Sequence, residues 1–452
     1  MNLPVELIDS LKNIPGFSET GFSAAHNDMA VPVSVRFNPG KLVPENADLV
    51  HAEKLPWAAG AYYLQERPNF ALDPHWHAGG YYVQEASSMF VAHAFKIIRQ
   101  QSAGPLKVLD LCAAPGGKST LLLNLLEESD LLVSNEVIVA RNAILRENLV
   151  KWGKANALVT QNDAREIGKV MTGFFDIVLV DAPCSGSGLF RKDPAALEQW
   201  SMELVTHCSL RQERILQDIW PALKQDGFLV YSTCSFSPQE NEERVEALLK
   251  DKSAIAVGLK PASDWGIREE VKKGIYSYRF FPDKVNGEGF FLSVLQKKEG
   301  CKTQFINHGR QQRIPRDIEN IWKAGQFAHH GWLPYVYEEK VYAMPAQVLD
   351  AFLHYQKPLR IRKAGIELGE NIHGKLQPAH DWAMSLHPPE DMPRLNLDLQ
   401  NARKFLRKEV FEISFETKGW NLLTYREVPI GLAKHIGNRW NNYYPVAWRL
   451  RS

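Results

Sequence analysis

The 452-residue chain lacks the long apolar runs of a membrane protein, because no stretch approaches the roughly 18 uncharged residues that a membrane helix needs. Its first residues lack the basic segment and apolar core of a signal peptide, so we expect a cytoplasmic protein. Glycine and proline occur in ordinary amounts, with 30 and 26 residues, which excludes collagen-like and low-complexity chains. The length exceeds what one hydrophobic core usually fills, and it therefore predicts several domains.

Cysteine is also scarce. The five cysteines are Cys112, Cys184, Cys208, Cys234 and Cys301. No two of them have the spacing of a zinc site, and the odd number argues against a disulfide framework. The histidines at 75 and 77 and the pair His329–His330 look like loop residues without further ligands, so we predict no metal site. Each cysteine is then either an apolar filler or a nucleophile.

Charge is distributed unevenly along the chain. Residues 1–300 carry 31 basic and 37 acidic side chains, whereas residues 301–452 carry 22 basic and 15 acidic side chains. A basic C-terminal part is typical of a module that binds a polyanion, but an ordinary solvated surface has the same composition. Charge alone leaves both interpretations open.

Short apolar runs alternate with amphipathic segments from about residue 105 onwards. The spacing predicts strands at Val108–Leu111, Leu131–Ser134, Ile177–Val180, Phe228–Tyr231, Tyr276–Phe281 and Phe290–Leu295, and helices at Leu121–Leu126, Ala140–Leu149 and Val205–Leu223. This alternation predicts an α/β fold with a mostly parallel sheet that is covered on both faces. A boundary is expected near Lys297–Gly300, and a small β-rich tail is expected to include strands at Val410–Glu416 and Asn421–Arg426.

The segment LDLCAAPGGKST (109–120) is a strand that runs into a glycine turn and a helix. A P-loop would need glycine where Cys112 stands, and no dinucleotide G-x-G-x-x-G pattern is present, so both phosphate-binding motifs are excluded. Gly116 and Gly117 still allow a ligand to approach the backbone closely.

Acidic residues are expected at successive strand ends beside this turn. Glu136 can accept both hydroxyl groups of a ribose, and Asp163 suits the exocyclic amine of adenine. Asp181 ends the fourth strand. Together the acids suit an adenosine ligand without phosphates, such as S-adenosylmethionine, although solvated strand caps would look the same.

Two cysteines are expected at that same edge, Cys184 in DAPCSGSG and Cys234 in YSTCSFS. A thiolate beside a methyl donor suits methylation of pyrimidine carbon 5, because addition of the thiolate at C6 makes C5 nucleophilic. Asp181 could hold the N3 edge of a cytosine, and the second cysteine could help to release the product.

The motifs LDLCAAPGGKST, DAPCSGSG and STCS followed by ENE resemble those of the Sun-type family of RNA cytosine-C5 methyltransferases, as does the lead-in VQEASSM (83–89). The tail GLAKHIGNRWNNYYP (431–445) resembles the C-terminal module of its bacterial RsmF-type branch, whose members act on 16S ribosomal RNA of the small subunit. The resemblance implies a Rossmann-like class I methyltransferase sheet over 81–298, with a small N-terminal domain (1–80). An intermediate domain (299–390) and a β-rich PUA-like module (391–452) would follow.

The resemblance also implies roles for single residues. Cys234 would be the nucleophile, Cys184 would assist product release, and Asp181 would lie between donor and target base. The chemistry alone left the choice of nucleophile open, because DNA cytosine methyltransferases use a Pro-Cys turn. The residues implied to bind the donor are Cys112, Ala113, Ala114, Pro115, Gly116, Gly117, Lys118, Glu136, Asp163 and Asp181.

Basic residues near these motifs are candidates for RNA contacts. Arg191 and Lys192 follow the Pro-Cys turn, and Lys434 and Arg439 lie among aromatic residues of the tail. We therefore expect S-adenosylmethionine as the cofactor, 16S ribosomal RNA as the partner, and a monomeric protein. The same chemistry on transfer RNA, or a non-catalytic RNA-binding assembly factor, are the alternatives.

Overall fold

A computed structural model describes residues 1–28, 31–49, 51–272, 274–300, 319, 322, 331–373 and 375–451. The sequence hypotheses about Cys301 and His329–His330 fall outside these residues. Within the described parts of the chain, every helix is too short or too polar to cross a bilayer.

The N-terminal residues form a small antiparallel sheet flanked by helices. These elements are α1 (Val5–Leu11), α2 (Glu19–Asn27), β1 (Ser34–Phe37), β2 (His51–Lys54), β3 (Ala61–Leu64), α3 (Pro74–His77), β4 (Tyr81–Val83) and α4 (Val91–Gln100). The sheet order is β2-β3-β1-β4. The interpretation of His75 and His77 as loop residues is wrong, because Asp73 caps α3 and both rings are buried.

The central part of the chain forms the alternating pattern that the sequence predicts. Its elements are β5 (Lys107–Asp110), α5 (Gly117–Leu125), β6 (Leu131–Asn135), α6 (Val139–Trp152), β7 (Ala157–Thr160), α7 (Ala164–Val170), β8 (Phe175–Asp181), α8 (Pro194–Gln199), α9 (Met202–Ile219), β9 (Leu223–Thr233), α10 (Glu242–Asp251), β10 (Ala254–Ala256), β11 (Arg268–Lys272), β12 (Ile275–Phe280) and β13 (Phe290–Lys297). The six strands and three helices predicted here are confirmed, with ends that differ by a few residues.

The order of the strands indicates which edge of this sheet is suited to ligand binding. The ten-stranded sheet runs β11-β12-β13-β9-β8-β5-β6-β7, followed by one later strand, and β10 pairs with β13. Strands β5 to β9 are mutually parallel, and β5 lies between β6 and β8. The chain therefore changes direction across the sheet between β5 and β8. Ligands of such sheets bind beyond the carboxyl ends of the strands at that point.

The third region packs against the central sheet. It comprises β14 (Trp332–Tyr337), β15 (Lys340–Pro345), α11 (Ala346–Tyr355), β16 (Ile361–Ala364), β17 (Ile366–Ile372), β18 (Lys375–Pro378) and α12 (His380–Met384). Strand β16 is the last strand of the central sheet, since it pairs antiparallel with β7, while the other four strands form their own sheet. The predicted division into four domains stays a prediction.

The C-terminal module is a four-stranded sheet with one helix of nine residues. It comprises β19 (Arg394–Leu397), α13 (Leu399–Arg407), β20 (Gly419–Tyr425), β21 (Val428–His435) and β22 (Trp440–Asn442). The strand predicted at Asn421–Arg426 is confirmed as β20. The strand predicted at Val410–Glu416 is wrong: this segment pairs with no strand, and its alternation arises because Phe411 packs inward while Val410 is exposed.

The N-terminal sheet and the C-terminal module share one hydrophobic core. Val35 and Tyr81 from the former pack in the same cluster as Phe405 and Leu423 from the latter. Because these side chains exclude water jointly, the two modules hold a common orientation beside the central sheet.

Candidate active site

A cavity of about 260 Å³ opens at the carboxyl edge of the central sheet, between β5 and β8. Its wall includes seven of the predicted site residues: Cys112, Ala114, Glu136, Asp163, Asp181, Cys184 and Cys234. Ala113, Pro115 and Gly116 lie in the turn beside it, and Gly117 and Lys118 begin α5. The structure thus brings the predicted donor-binding residues and both reactive cysteines to one place.

The glycine turn leads the chain from β5 into α5. Gly116 has a φ of 115°, a left-handed conformation that strains other residues and ends the turn directly before the helix. Below the turn, the fully buried Arg36 of the N-terminal sheet donates hydrogen bonds to the Gly117 carbonyl (3.2 Å) and to the Thr120 hydroxyl (2.7 Å). The N-terminal sheet therefore supports the donor loop from behind.

Lys118, at the start of α5, and Asp181, at the end of β8, form an ion pair at the carboxyl edge of the sheet. The Nζ–Oδ2 distance is 2.7 Å, and the Ser232 hydroxyl donates to the other carboxylate oxygen at 2.8 Å. Burial alone would lower the pKa of Lys118, but the charge and hydrogen bond of Asp181 raise it overall. Asp181 therefore has a fixed orientation, and about a third of its side chain faces the cavity.

Glu136 follows β6 directly and is almost fully buried. Its Oε1 accepts a hydrogen bond of 2.9 Å from the Ile138 N–H, and its Oε2 lies 3.7 Å from Arg141 Nε. One carboxylate oxygen is therefore used by the backbone at the start of α6. The other faces Arg141, and the predicted contact with a ribose stays a prediction.

Asp163 lies three residues beyond the end of β7 and has a structural role that the sequence interpretation missed. It caps α7, because its Oδ1 accepts from the Arg165 N–H at 3.0 Å and Glu166 completes a capping box. The side chain still lines the cavity. Its placement is compatible with both the cap and a contact to adenine.

Cys184 and Cys234 meet although 50 residues separate them in sequence. Cys234 directly follows β9, Cys184 lies three residues beyond β8, and their Sγ atoms are 2.9 Å apart. The hydrogen bond to Cys234, together with burial, raises the pKa of Cys184 well above its ordinary value. Cys184 therefore keeps its proton more readily than an ordinary cysteine.

A cation lies close to this pair. Burial lowers the pKa of Lys118. Asp181 and, to a smaller extent, a negative charge on Cys234 raise it. The Lys118 ammonium group therefore lies within electrostatic range of the Cys234 sulfur. By contrast, burial raises the pKa of Cys112 far above its ordinary range and that of Cys208 to about 11, so these two remain thiols.

The RNA-contact candidates differ in their surroundings. Arg191 Nη2 lies 3.6 Å from Glu288 Oε1, and these side chains are only 6% and 2% exposed. Its charge is already matched inside the protein, so a phosphate contact here would fall to the exposed Lys192. In the C-terminal module, Lys434 Nζ lies 5.0 Å from the Trp420 ring, and Arg439 is exposed in the turn before β22.

Three arginines at the cavity wall were not found from the sequence: Arg141, which lies beside Glu136, and two on α9. Arg211 and Arg214 on α9 are exposed, line the cavity, and make no ion pair with any described residue. Their spacing of three residues puts them on one helical face. Helical spacing in the sequence shows that two residues share a face, but not which cavity that face borders.

No group of three or more potential ligand side chains in the described ranges could hold a metal ion. The cavity wall carries thiols, carboxylates and three arginines, and Lys118 lies beside it, paired with Asp181.

The chain is similar to known methyltransferases over nearly its whole length. The family described as 16S rRNA methyltransferase RsmB/F matches residues 100–296, the N-terminal domain of 16S rRNA methyltransferase RsmF matches 3–86, and the RsmF PUA domain matches 393–450. The ribosomal RNA small subunit methyltransferase F of Aeromonas salmonicida (strain A449) is 30% identical over 350 residues, which are 75% of this chain and 72% of that protein. The same-named protein of Shewanella piezotolerans is 29% identical over 412 residues, or 87% and 85% of the two chains.

Solved structures agree with this similarity. A methyltransferase homologue from Pyrococcus horikoshii is 26% identical with a TM-score of 0.51 and covers 65% of this chain and 100% of its own. NSun6 from the same organism, solved with SFG, has a TM-score of 0.55 at 19% identity over 66% of this chain and 98% of its own, which shows the fold alone. The expected methyltransferase sheet with an N-terminal domain and a C-terminal PUA module is confirmed.

Proposed function

The chain belongs to the RsmF family of 16S ribosomal RNA methyltransferases, and from this membership we propose that it methylates carbon 5 of a cytosine in small-subunit ribosomal RNA through a covalent adduct with Cys234. The observation that carries the cytosine-C5 chemistry is the pair of thiols. Cys184 and Cys234 stand with their Sγ atoms 2.9 Å apart at the wall of a cavity that also holds Glu136 and Asp181. Methyl transfer to an amine or a hydroxyl would need neither cysteine.

S-adenosylmethionine fits the residues beside the cavity. Glu136 Oε2, which lies 3.7 Å from Arg141 Nε, is a candidate acceptor for the ribose, and Asp163 lines the cavity as a candidate acceptor for the adenine amine. The left-handed Gly116 ends the turn beside them. The two carboxylates suit a cationic donor without phosphates. When bound, this donor supplies an electrophilic methyl group.

The two thiols have different roles in the reaction with the cytosine. The Cys234 thiolate adds to C6 of the cytosine, the electrons of the C5–C6 double bond shift towards N3, and N3 takes a proton from water. Lys118 and Ser232 fix the orientation of Asp181, which holds the N3 edge of the cytosine. C5 can then take the methyl group.

Release reverses the addition. The proton on C5 must be removed so that the C5–C6 double bond re-forms and the Cys234–C6 bond breaks. Cys184 is the second thiol at the same bond: once it has passed its own proton to water, its thiolate can take the C5 proton, and its raised pKa makes that thiolate a strong base. This supports the assignment of Cys234 as the nucleophile and Cys184 as the residue that assists release.

The protein contacts the RNA at two places, the mouth of the cavity and the PUA module. Arg211 and Arg214 can bind the phosphates that flank the unstacked target nucleotide, and Lys192 is exposed on the loop after Cys184. Lys434 and Arg439 add positive charge on the PUA module. The shared core of the N-terminal and C-terminal modules holds this second contact in place.

Bisulfite sequencing of ribosomal and transfer RNA from cells with and without the protein tests this function. We expect a loss of 5-methylcytosine at one or more positions of 16S ribosomal RNA in the deletion strain and its return with the wild-type gene. Loss in transfer RNA alone would move the substrate, and an unchanged pattern in all RNAs would contradict the proposed reaction.

A further inference from the structure

We propose that Glu240 is a positioning residue that aligns the two reactive thiols, an inference that extends the proposed cysteine mechanism and rests on it. The Cys-Ser dipeptides at 184–185 and 234–235 end in serines that turn away from the cavity. Both serines meet the same carboxylate, which belongs to Glu240. One buried side chain thus connects the two turns that carry the thiols.

The contacts converge from both turns. The Ser185 N–H and hydroxyl donate to Glu240 at 2.7 and 2.6 Å, and the Ser235 hydroxyl donates to it at 2.5 Å. Gln212 of α9 approaches the same carboxylate at 3.4 Å and donates to the Pro183 carbonyl at 3.0 Å. Glu240 therefore holds the first turn at two points and the second at one.

Glu240 is itself rigidly placed. Its side chain is fully buried, and its carbonyl accepts a hydrogen bond from the hydroxyl of the buried Tyr231. The next residue, Asn241, accepts from the Thr233 hydroxyl and donates to the Ser235 carbonyl. The carboxylate is thus anchored to the end of β9, the strand that delivers Cys234.

A buried carboxylate without a contacting cation is costly, and this cost argues for a specific role. Burial raises the pKa of Glu240, while the hydrogen bonds from Ser185 and Ser235 oppose the rise. A neutral or apolar side chain would fill this place at lower cost if the fold alone were at stake. What the carboxylate adds is three strong acceptor directions at once, which fix both serines and hence the cysteine before each.

Kinetics of Glu240→Ala and Glu240→Gln provide the first test. Because both thiols must act at one C5–C6 bond, we expect kcat of Glu240→Ala to fall about 100-fold, as small misplacements of reacting groups do, with KM for RNA and donor affinity changed less than about threefold. Glu240→Gln retains one carbonyl oxygen for the Ser185 N–H but cannot accept from both hydroxyls, and it should recover only part of kcat. A kcat of Glu240→Ala near the wild-type value would overturn the proposal.

Asp130→Ala is the matched control for lost stability. Asp130 is also a buried carboxylate that accepts backbone N–H groups, those of Leu106 and Glu127, but it lies at the opposite edge of the sheet. We expect it to lower the unfolding temperature and leave kcat near the wild-type value. An equal loss of kcat in Asp130→Ala and Glu240→Ala would show that Glu240 is merely structural.

Oxidation of the thiols by diamide measures their alignment without RNA or methyl donor. Diamide takes two electrons and two protons from Cys184 and Cys234, becomes the hydrazine, and leaves a disulfide that peptide mass spectrometry quantifies. We expect the rate to fall at least about tenfold in Glu240→Ala and to be unchanged in Asp130→Ala. Equal rates in wild type and Glu240→Ala would overturn the positioning role.

Ser185→Ala and Ser235→Ala keep the test decisive if Glu240→Ala does not fold, since each removes one hydroxyl donor to the carboxylate. Each should slow oxidation and lower kcat, and unchanged values in both would refute the proposal. The oxidation assay also separates this inference from the proposed function. If Cys234 were not the nucleophile, Cys234→Ala would still methylate RNA, whereas the alignment of the thiols would still depend on Glu240.

Discussion

Replacement of Glu136 tests the donor pocket, because the two carboxylate oxygens of this residue have separable tasks. Oε1 accepts from the Ile138 N–H at the start of α6, and Oε2, which lies 3.7 Å from Arg141 Nε, is the proposed acceptor for the donor ribose. Hydrogen bonds to a buried charge contribute about 1.5–3 kcal/mol, so Glu136→Ala should weaken S-adenosylmethionine binding by about 10- to 150-fold. Glu136→Gln keeps the Ile138 contact and loses the charge, and we expect about a tenfold loss.

Isothermal titration calorimetry with the donor measures both variants, and thermal unfolding without the donor measures the helix contact. Only Glu136→Ala should lower the unfolding temperature of the free protein, because only it leaves the Ile138 N–H without an acceptor. Glu147→Ala, in the middle of α6 and paired with Lys151, is the control and should bind the donor normally. Wild-type donor affinity in Glu136→Ala would remove Glu136 from the pocket and refute the reasoning.

Two further predictions concern RNA binding and the pH dependence of stability. Arg211→Gln and Arg214→Gln should each weaken RNA binding and reduce the slope of log K against log salt by about 0.7, with donor affinity unchanged; an unaltered salt slope would show that neither binds phosphate. Burial raises the pKa of Asp110 from 3.8 to about 7, although the Ser119 hydrogen bond opposes the rise. Between these values the folded protein holds more protons than the unfolded chain, so this contribution to the free energy of unfolding is present at acidic pH and is lost as pH rises towards 7. Urea titrations should therefore show wild type losing stability relative to Asp110→Asn between about pH 4 and pH 7, and a constant difference would contradict the shift.

Much of the central sheet could be predicted from the sequence, because its strands are buried on both faces and read as short apolar runs. The same argument placed Glu136 and Asp181, which stand at strand ends. It failed where local pattern and tertiary packing disagree. Val410–Glu416 alternates like a strand but finds no partner strand, and His75 and His77 look like loop residues but are buried beneath the C-terminal module.

The chemistry of the site could be predicted in part. Local motifs identified Cys184 and Cys234, since each cysteine stands in a turn directly beyond a strand. Their contact, and the position of Glu240 between their turns, depends on how β8 and β9 pair, which no local pattern contains. Arg211 was missed for the same reason, because only the packing of α9 decides which of its faces borders the cavity.

The covalent mechanism is tested most directly by trapping the protein on its RNA. Cys184→Ala should still let Cys234 attack C6 but stall before release, so a protein–RNA complex that survives denaturing gel electrophoresis should accumulate with labelled 16S ribosomal RNA and methyl donor. The complex should be absent from the Cys184→Ala/Cys234→Ala double variant. A trapped complex with Cys234→Ala and none with Cys184→Ala would reverse the two roles, and normal turnover by Cys234→Ser would contradict the covalent mechanism itself.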